Sequence, residues 1–287
     1  MRALATLPLI LLLSTPTWAA DGSPWLPVPK SGSLNLSYVS ESAKKFYRGK
    51  ARRDLPFQKI DQDTFWLSGD YGLTDSVALD FQVGRADVSG KAPSPPGPPD
   101  QDGITDINFG MTWRVVDEDI NLGAPSVALR VGATISSDYN AGVPTAIGDD
   151  ASGVEASLIV GKIMGGRFAL SGEIGHRTRD NKVPDETFLN AKAFLVASPR
   201  LILNAQYHNT MAGGSLDIGD PGFNFGRFPE TTEDIERIGL GATFNATPQL
   251  GLGLNWFTVI DGRNTADFDA VAATVSYTFD VYQAGRR

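Results

Sequence analysis

The sequence predicts an all-β protein: a transmembrane up-and-down antiparallel β-barrel of about twelve strands, with short periplasmic turns and long extracellular loops. Three observations predict it. Apolar and polar residues alternate with a period of two through nearly the whole chain. No stretch beyond the N-terminus approaches the roughly twenty consecutive apolar residues of a membrane helix, so strands are the only means of crossing a bilayer. The connections between alternating segments also sort into short and long ones, and a water-soluble sandwich has no reason to sort them.

The clearest element is the hairpin at 63–86. Phe65, Leu67 and Tyr71 alternate with polar or small residues, Gly72-Leu73-Thr74-Asp75 turns the chain, and Val77, Leu79, Phe81 and Val83 alternate with Ala78, Asp80, Gln82 and Gly84. One face is apolar and the other polar with an acid in it, which suits a wall between lipid and a lumen.

The chain opens as an exported protein does. Met1-Arg2, the apolar run Leu7 to Leu13 and the small residues at Thr17-Trp18-Ala19-Ala20 read as a signal peptide over 1–19, with the mature chain opening near Asp21. Residues 20–32 are expected to be a proline-rich, extended periplasmic leader, and 33–287 the barrel. The first strand is expected at 33–41, with Leu34, Leu36 and Tyr38 set against Asn35 and Ser37. A polar loop with a basic run should follow over 44–60, exposed to solvent or meeting anionic sugars of the outer leaflet or an acidic solute. The segment KAPSPPGPPDQDG at 91–103 cannot hold a ladder, because proline has no N–H to give.

Alternation then resumes. Ile107, Phe109, Met111, Trp113 and Val115 oppose Asp106, Asn108, Thr112 and Arg114; Val127, Leu129, Val131 and Ile135 oppose Arg130 and Thr134. Val154, Ala156, Leu158 and Val160 oppose Glu155 and Ser157, and Gly165-Gly166 returns the chain into Phe168, Leu170 and Ile174, opposite Ser171 and Glu173. Leu189, Ala191, Ala193 and Leu195 alternate with Asn190 and Lys192; Leu201, Leu203, Ala205 and Tyr207 alternate with Asn204, Gln206 and His208. A glycine-rich loop at 212–232 precedes Ile238, Leu240, Ala242 and Phe244, opposite Arg237 and Thr243, then Leu250 to Trp256, and finally Val271 to Phe279. Tyr71, Trp113, Tyr207, Trp256 and Tyr277 fall near strand ends, where interfacial girdles form.

Composition narrows the function. The chain of 287 residues has no cysteine, hence no disulfide framework and no thiolate metal site, and its charge of -8 argues against nucleic acid as a partner. The expected lumen residues are Asp80, Asp106, Arg114, Arg130, Glu155, Glu173, Lys192, His208 and Arg237. Their mixed signs fit either a lumen filled by ion pairs or a narrow aqueous path for polar or amphipathic solutes. Only His176 and His208 are available for a lipid hydrolase. His176 has Thr178 on its own face but no acid or amide obviously placed to orient its ring, so no catalytic residue, metal or cofactor is assigned. Asp149-Asp150 and 217–220 lack a calcium-loop pattern and read as solvated turns.

The segments SGSLNLSYVSESAKKFYRG and QDTFWLSGDYGLTDSVALD, with a closing strand ending SYTF, resemble Gram-negative outer-membrane transporters of the phenol-degradation (MetA-pathway) group. That resemblance implies a barrel admitting small organic solutes and carries no catalytic residues. The chain departs from many such barrels in continuing past Phe279 as DVYQAGRR. The expectation is therefore a passive channel of the cell outer membrane, in contact with lipid, lipopolysaccharide, a small-molecule solute and the barrel-assembly machinery. The alternative is a structural or surface-interaction barrel whose lumen is filled.

Overall fold

The computed structural model describes residues 22–92 and 98–280. The expected signal peptide, the centre of the proline-rich loop and the C-terminal tail lie outside the described residues. Within them, β1 (Ser31–Arg48), β3 (Lys59–Thr74), β4 (Val77–Lys91), β6 (Ile107–Val116) and β7 (Ser126–Ile135) run antiparallel in sequence order. β8 (Gly153–Met164), β9 (Phe168–Arg179), β10 (Glu186–Ser198), β11 (Leu201–Ala212), β12 (Asp234–Asn245), β13 (Leu250–Arg263) and β14 (Ala266–Asp280) continue the order. β14 then pairs with β1 from Ser31↔Asp280 to Phe46↔Ala266, and the sheet closes. Two short strands, β2 (Ala51–Asp54) and β5 (Gln101–Ile104), flank this wall on β1 and β4, so the fourteen strands make a twelve-stranded barrel.

Burial shows which medium each face meets. On β1, Ser33 and Ser37 are only 3% and 2% exposed while Leu36 is 55% exposed. The inversion repeats on each barrel strand, as in Leu240, Leu254 and Val275 outside against Thr243, Asn255 and Thr274 inside. An apolar band outside and hydrogen-bonding groups inside suit a wall in hydrocarbon, where closure leaves no strand edge unpaired. No helix of the described residues is long and apolar enough to span a membrane.

The interior is narrowed by rings laid on the wall. Trp66 pairs with Gly84, Phe188 with Gly175 and Phe257 with Gly239, and a Cβ at any of these glycines would come within 2.7 Å of the ring opposite it. Glycine here lets an inward aromatic lie flat on its neighbour strand.

Three expectations change. The basic stretch at 44–60 is largely a hairpin: β1 runs on to Arg48 and pairs with β2 from Lys45↔Asp54 to Arg48↔Ala51. Its charges stand on strands that lengthen the wall outward. Loop lengths also sort less cleanly than expected, since the connections at 180–185 and 264–265 lie at the long-loop end and are short. There β13 and β14 themselves supply the height, at 14 and 15 residues.

The leader makes the third change. Residues 22–30 precede the first strand but bend at Pro24-Trp25, turn at Pro29-Lys30 and fold into the barrel at its short-turn end. Pro24 is fully buried, Trp25 is 5% exposed, and Lys30 N donates to Gly72 O at 2.8 Å. Trp25 packs with Ala169, Phe194 and Ile202, meeting the Phe194 ring edge-on at 6.5 Å. An indole buried this way needs a partner for its N–H, and Nε1 donates to Glu118 Oε1 at 2.7 Å.

Candidate functional site: the lumen and its outer vestibule

Period two puts the inward residues of neighbouring strands side by side, and a ladder of charges climbs the wall from them. Arg130 of β7 is 1% exposed in its side chain and holds Asp80 of β4 at 2.7 Å and Glu155 of β8. Glu155 also accepts from Arg177 of β9 at 2.7 Å; Arg177 reaches Glu186 of β10 at 3.3 Å, and Glu186 accepts from Arg179 at 2.9 Å. Arg179 ends the chain on Asp149 of the loop after β7, at 3.1 Å. Each buried charge thus has an opposite neighbour, the condition for holding it away from water.

Glu173 anchors a second cluster. It accepts from Ser157 Oγ at 2.6 Å, Asn190 Nδ2 at 3.0 Å and, from the leader, Gly22 N at 3.2 Å. Asn190 Oδ1 lies 2.5 Å from His208 Nδ1 and Thr210 Oγ1 2.8 Å from Nε2, so Nδ1 donates and the other ring nitrogen accepts the hydroxyl. Lys192 and Arg237 stand in the same inward register, Lys192 opposite Gln206 and Arg237 opposite His208.

Two expected residues sit apart from these clusters. Arg114 lies at the short-turn end, donating to Asp75 O at 2.8 Å and pairing with Asp117 at 2.7 Å. Asp106 precedes β6 at the base of the loop after β7, accepting from Tyr139 Oη at 2.6 Å and Ser137 N at 3.2 Å. Burial raises its pKa against the pull of those two donors, and burial with the Asp106 charge raises that of Tyr139.

Sequence reasoning missed Arg177, Arg179 and Glu186. The signal was present: Arg177 and Arg179 share the parity of Glu173 and so point inward with it. The aspartates read as solvated turns are tied down too, Asp149 to Arg179, and Asp217 to Arg263 at 2.6 Å and Asn264 at 2.7 Å. Hydrogen bonds from Arg263 hold the Asp217 carboxyl below its usual range. His176 faces outward and meets Thr187 of β10 at 3.3 Å, whereas the Thr178 hydroxyl donates to Val154 O. Among the described residues no cluster of potential metal ligands is found.

Above the ladder the long loops enclose a cavity of about 870 Å³. Its wall is rich in phenylalanine, with Phe46, Phe188, Phe225, Phe228 and Phe268 beside Ile235; Glu41, Arg177, Glu186, His208 and Arg237 also line it. The loop at 213–233 supplies part of this wall through the short 3-10 turn Phe225–Glu230, whose rings gather around Phe223. The combination is an apolar chamber with polar groups at its inner end.

A family model described as "Putative MetA-pathway of phenol degradation" matches residues 54–275. The chain belongs to that family. Among curated proteins none matches it. Among solved structures, this phenol-degradation family barrel is similar to an outer membrane channel from Pseudomonas putida F1, with TM-score 0.71 and 15% identity over 90% of this chain and 99% of that one. It is also similar to the NanC porin, with TM-score 0.52 and 7% identity over 85% and 98% of the two chains. The translocator domain of the autotransporter NalP from Neisseria meningitidis follows at TM-score 0.50 and 11% identity, covering 91% and 90%. At such identities the likeness is one of fold, and the fold is that of an outer-membrane β-barrel.

Proposed function

We propose that this barrel is a passive outer-membrane channel for small organic solutes with an apolar or aromatic body. The observation that carries the reading is the phenylalanine-walled cavity of about 870 Å³ opening toward a lumen of paired charges. An apolar chamber of this size concentrates an amphipathic solute, and the charges beneath it set a transverse field that sorts solutes by polarity. The family description names phenol degradation, which fits that solute class. In this reading the protein catalyses no reaction, contacts lipid along its apolar band, and turns the basic hairpin of β1 and β2 toward lipopolysaccharide. It reaches the membrane through an N-terminal signal peptide and the barrel-assembly machinery.

Planar-bilayer recording of the refolded protein tests passage. Defined current steps are expected, with ion selectivity that shifts when Asp80 and Glu173 are changed to lysine. A second reading, a filled barrel acting through its loops, is favoured by one feature: Trp25 and Pro24 are buried inside the wall. A silent barrel that stays silent after residues 22–29 are deleted would establish that reading in place of the channel.

A further inference from the structure

Glu41 is at odds with its surroundings. It faces inward from β1 with 8% exposure, between Ala270 of β14 and Gln62 of β3. The residues before and after it on that face are Val39 and Ala43, and Val39 belongs to an apolar cluster with Phe257, Ala270 and Ala272. Its Oε1 is buried and has no hydrogen-bond partner among the described residues. The Glu173 carboxylate, by contrast, accepts three hydrogen bonds and that of Glu155 two ion pairs. A buried acceptor left unmatched is destabilising, so retaining one beside an apolar cluster calls for a partner that is not part of the chain. Glu41 also lines the phenylalanine-walled cavity, and Arg237 is within electrostatic range of it from β12.

We propose that Glu41 is the specificity-determining residue of the cavity, accepting a hydrogen bond from the hydroxyl or amine of a solute whose aromatic body packs against Phe188 and Phe268. This deepens the channel reading and rests on it for the role of the cavity. It narrows the solute class to neutral or cationic donors and disfavours carboxylates, which would bring a second acceptor to Oε1.

The test uses two probes of nearly equal shape, benzyl alcohol and ethylbenzene, titrated calorimetrically into the detergent-solubilised barrel against empty micelles. The quantity read is the ratio of the two dissociation constants in wild type, Glu41→Leu and Glu41→Gln. Glu41→Leu is expected to shift the ratio against benzyl alcohol by about fivefold, the worth of an ordinary hydrogen bond. Glu41→Gln, which keeps an acceptor oxygen, should recover a large part of that shift. The leucine variant removes an unmatched polar group and adds no bulk, and heat-modifiable migration on gels verifies its folding. A ratio that moves less than twofold, or an equal loss for both probes, overturns the assignment. Conductance of the same preparations separates the two claims: a conducting barrel with an unchanged ratio sinks the role of Glu41 alone, whereas a silent barrel whose ratio falls supports Glu41 and sinks passage.

Discussion

Arg130 is the residue on which the inward charges of β4, β7 and β8 depend. Replacing it with alanine would leave Asp80 without a cation and Glu155 with Arg177 alone, a loss of about 3 kcal/mol, the lower end for a buried pair broken from one side. Urea unfolding of the lipid-reconstituted barrel should show a drop of that order. The triple variant Arg130→Met, Asp80→Asn, Glu155→Gln should regain much of it, because no buried charge then lacks a partner. The inward direction of Asp80, Arg130, Glu155 and Glu173 was legible from alternation alone. Which carboxylate each arginine grips was not, since that depends on neighbours brought together by strand register. Asp106 shows where alternation misleads: it has the parity of β6 but lies just before that strand, and serves the loop after β7.

At the scale of the element, the loop at 213–233 is tied to the strands chiefly by Asn264, with Arg48 and Arg263 beside it. Asn264 adopts φ 53°, a conformation asparagine tolerates, at the tip of the β13–β14 hairpin. From there it accepts from Gly49 N at 2.9 Å and Ile218 N at 3.0 Å, and donates to Asp217 and to Thr232 O, each at 2.7 Å. Asn264→Ala should free this loop at a cost of about 1–3 kcal/mol. Limited proteolysis should then cut within 213–233 while the strands remain intact. The same loop ends at Glu233, whose pKa is pushed up to about 8 by burial, with the Asp149 charge adding to it. Because the folded value lies above the unfolded one, this group favours the closed loop at low pH. Its contribution is complete below about 4.5 and fades as pH rises through about 8. Amide exchange over 213–233 should therefore quicken relative to the strands across that window, and Glu233→Gln should flatten the trend. Nothing in the glycine-rich sequence announced such anchoring, because its partners stand 46 and 47 residues away.

For the molecule as a whole, the question is how far the lumen is open. The leader fills the short-turn end through Trp25, its Glu118 contact and the Gly22 bond to Glu173. Trp25→Ala should raise single-channel conductance without altering the barrel's circular dichroism, and deletion of residues 22–29 should raise it further. Equal conductance in all three proteins would mean that solutes pass by a route the leader does not touch. Composition hinted at the leader through its prolines, but its place inside the wall follows from the apolar patch of Ala169, Phe194 and Ile202, which the pairing of β9, β10 and β11 assembles.

The sequence by itself determined the wall: a strand's side chains alternate whatever the strand pairs with, so face, medium and approximate strand number can be read from consecutive residues. Only the tertiary structure decided what the wall encloses. The route of the leader, the order of ion pairs from Asp80 to Asp149 and the unmatched Oε1 of Glu41 all arise between residues on different strands and loops. Barrel circumference, strand register and loop packing bring those residues together, and local periodicity carries no information about any of the three.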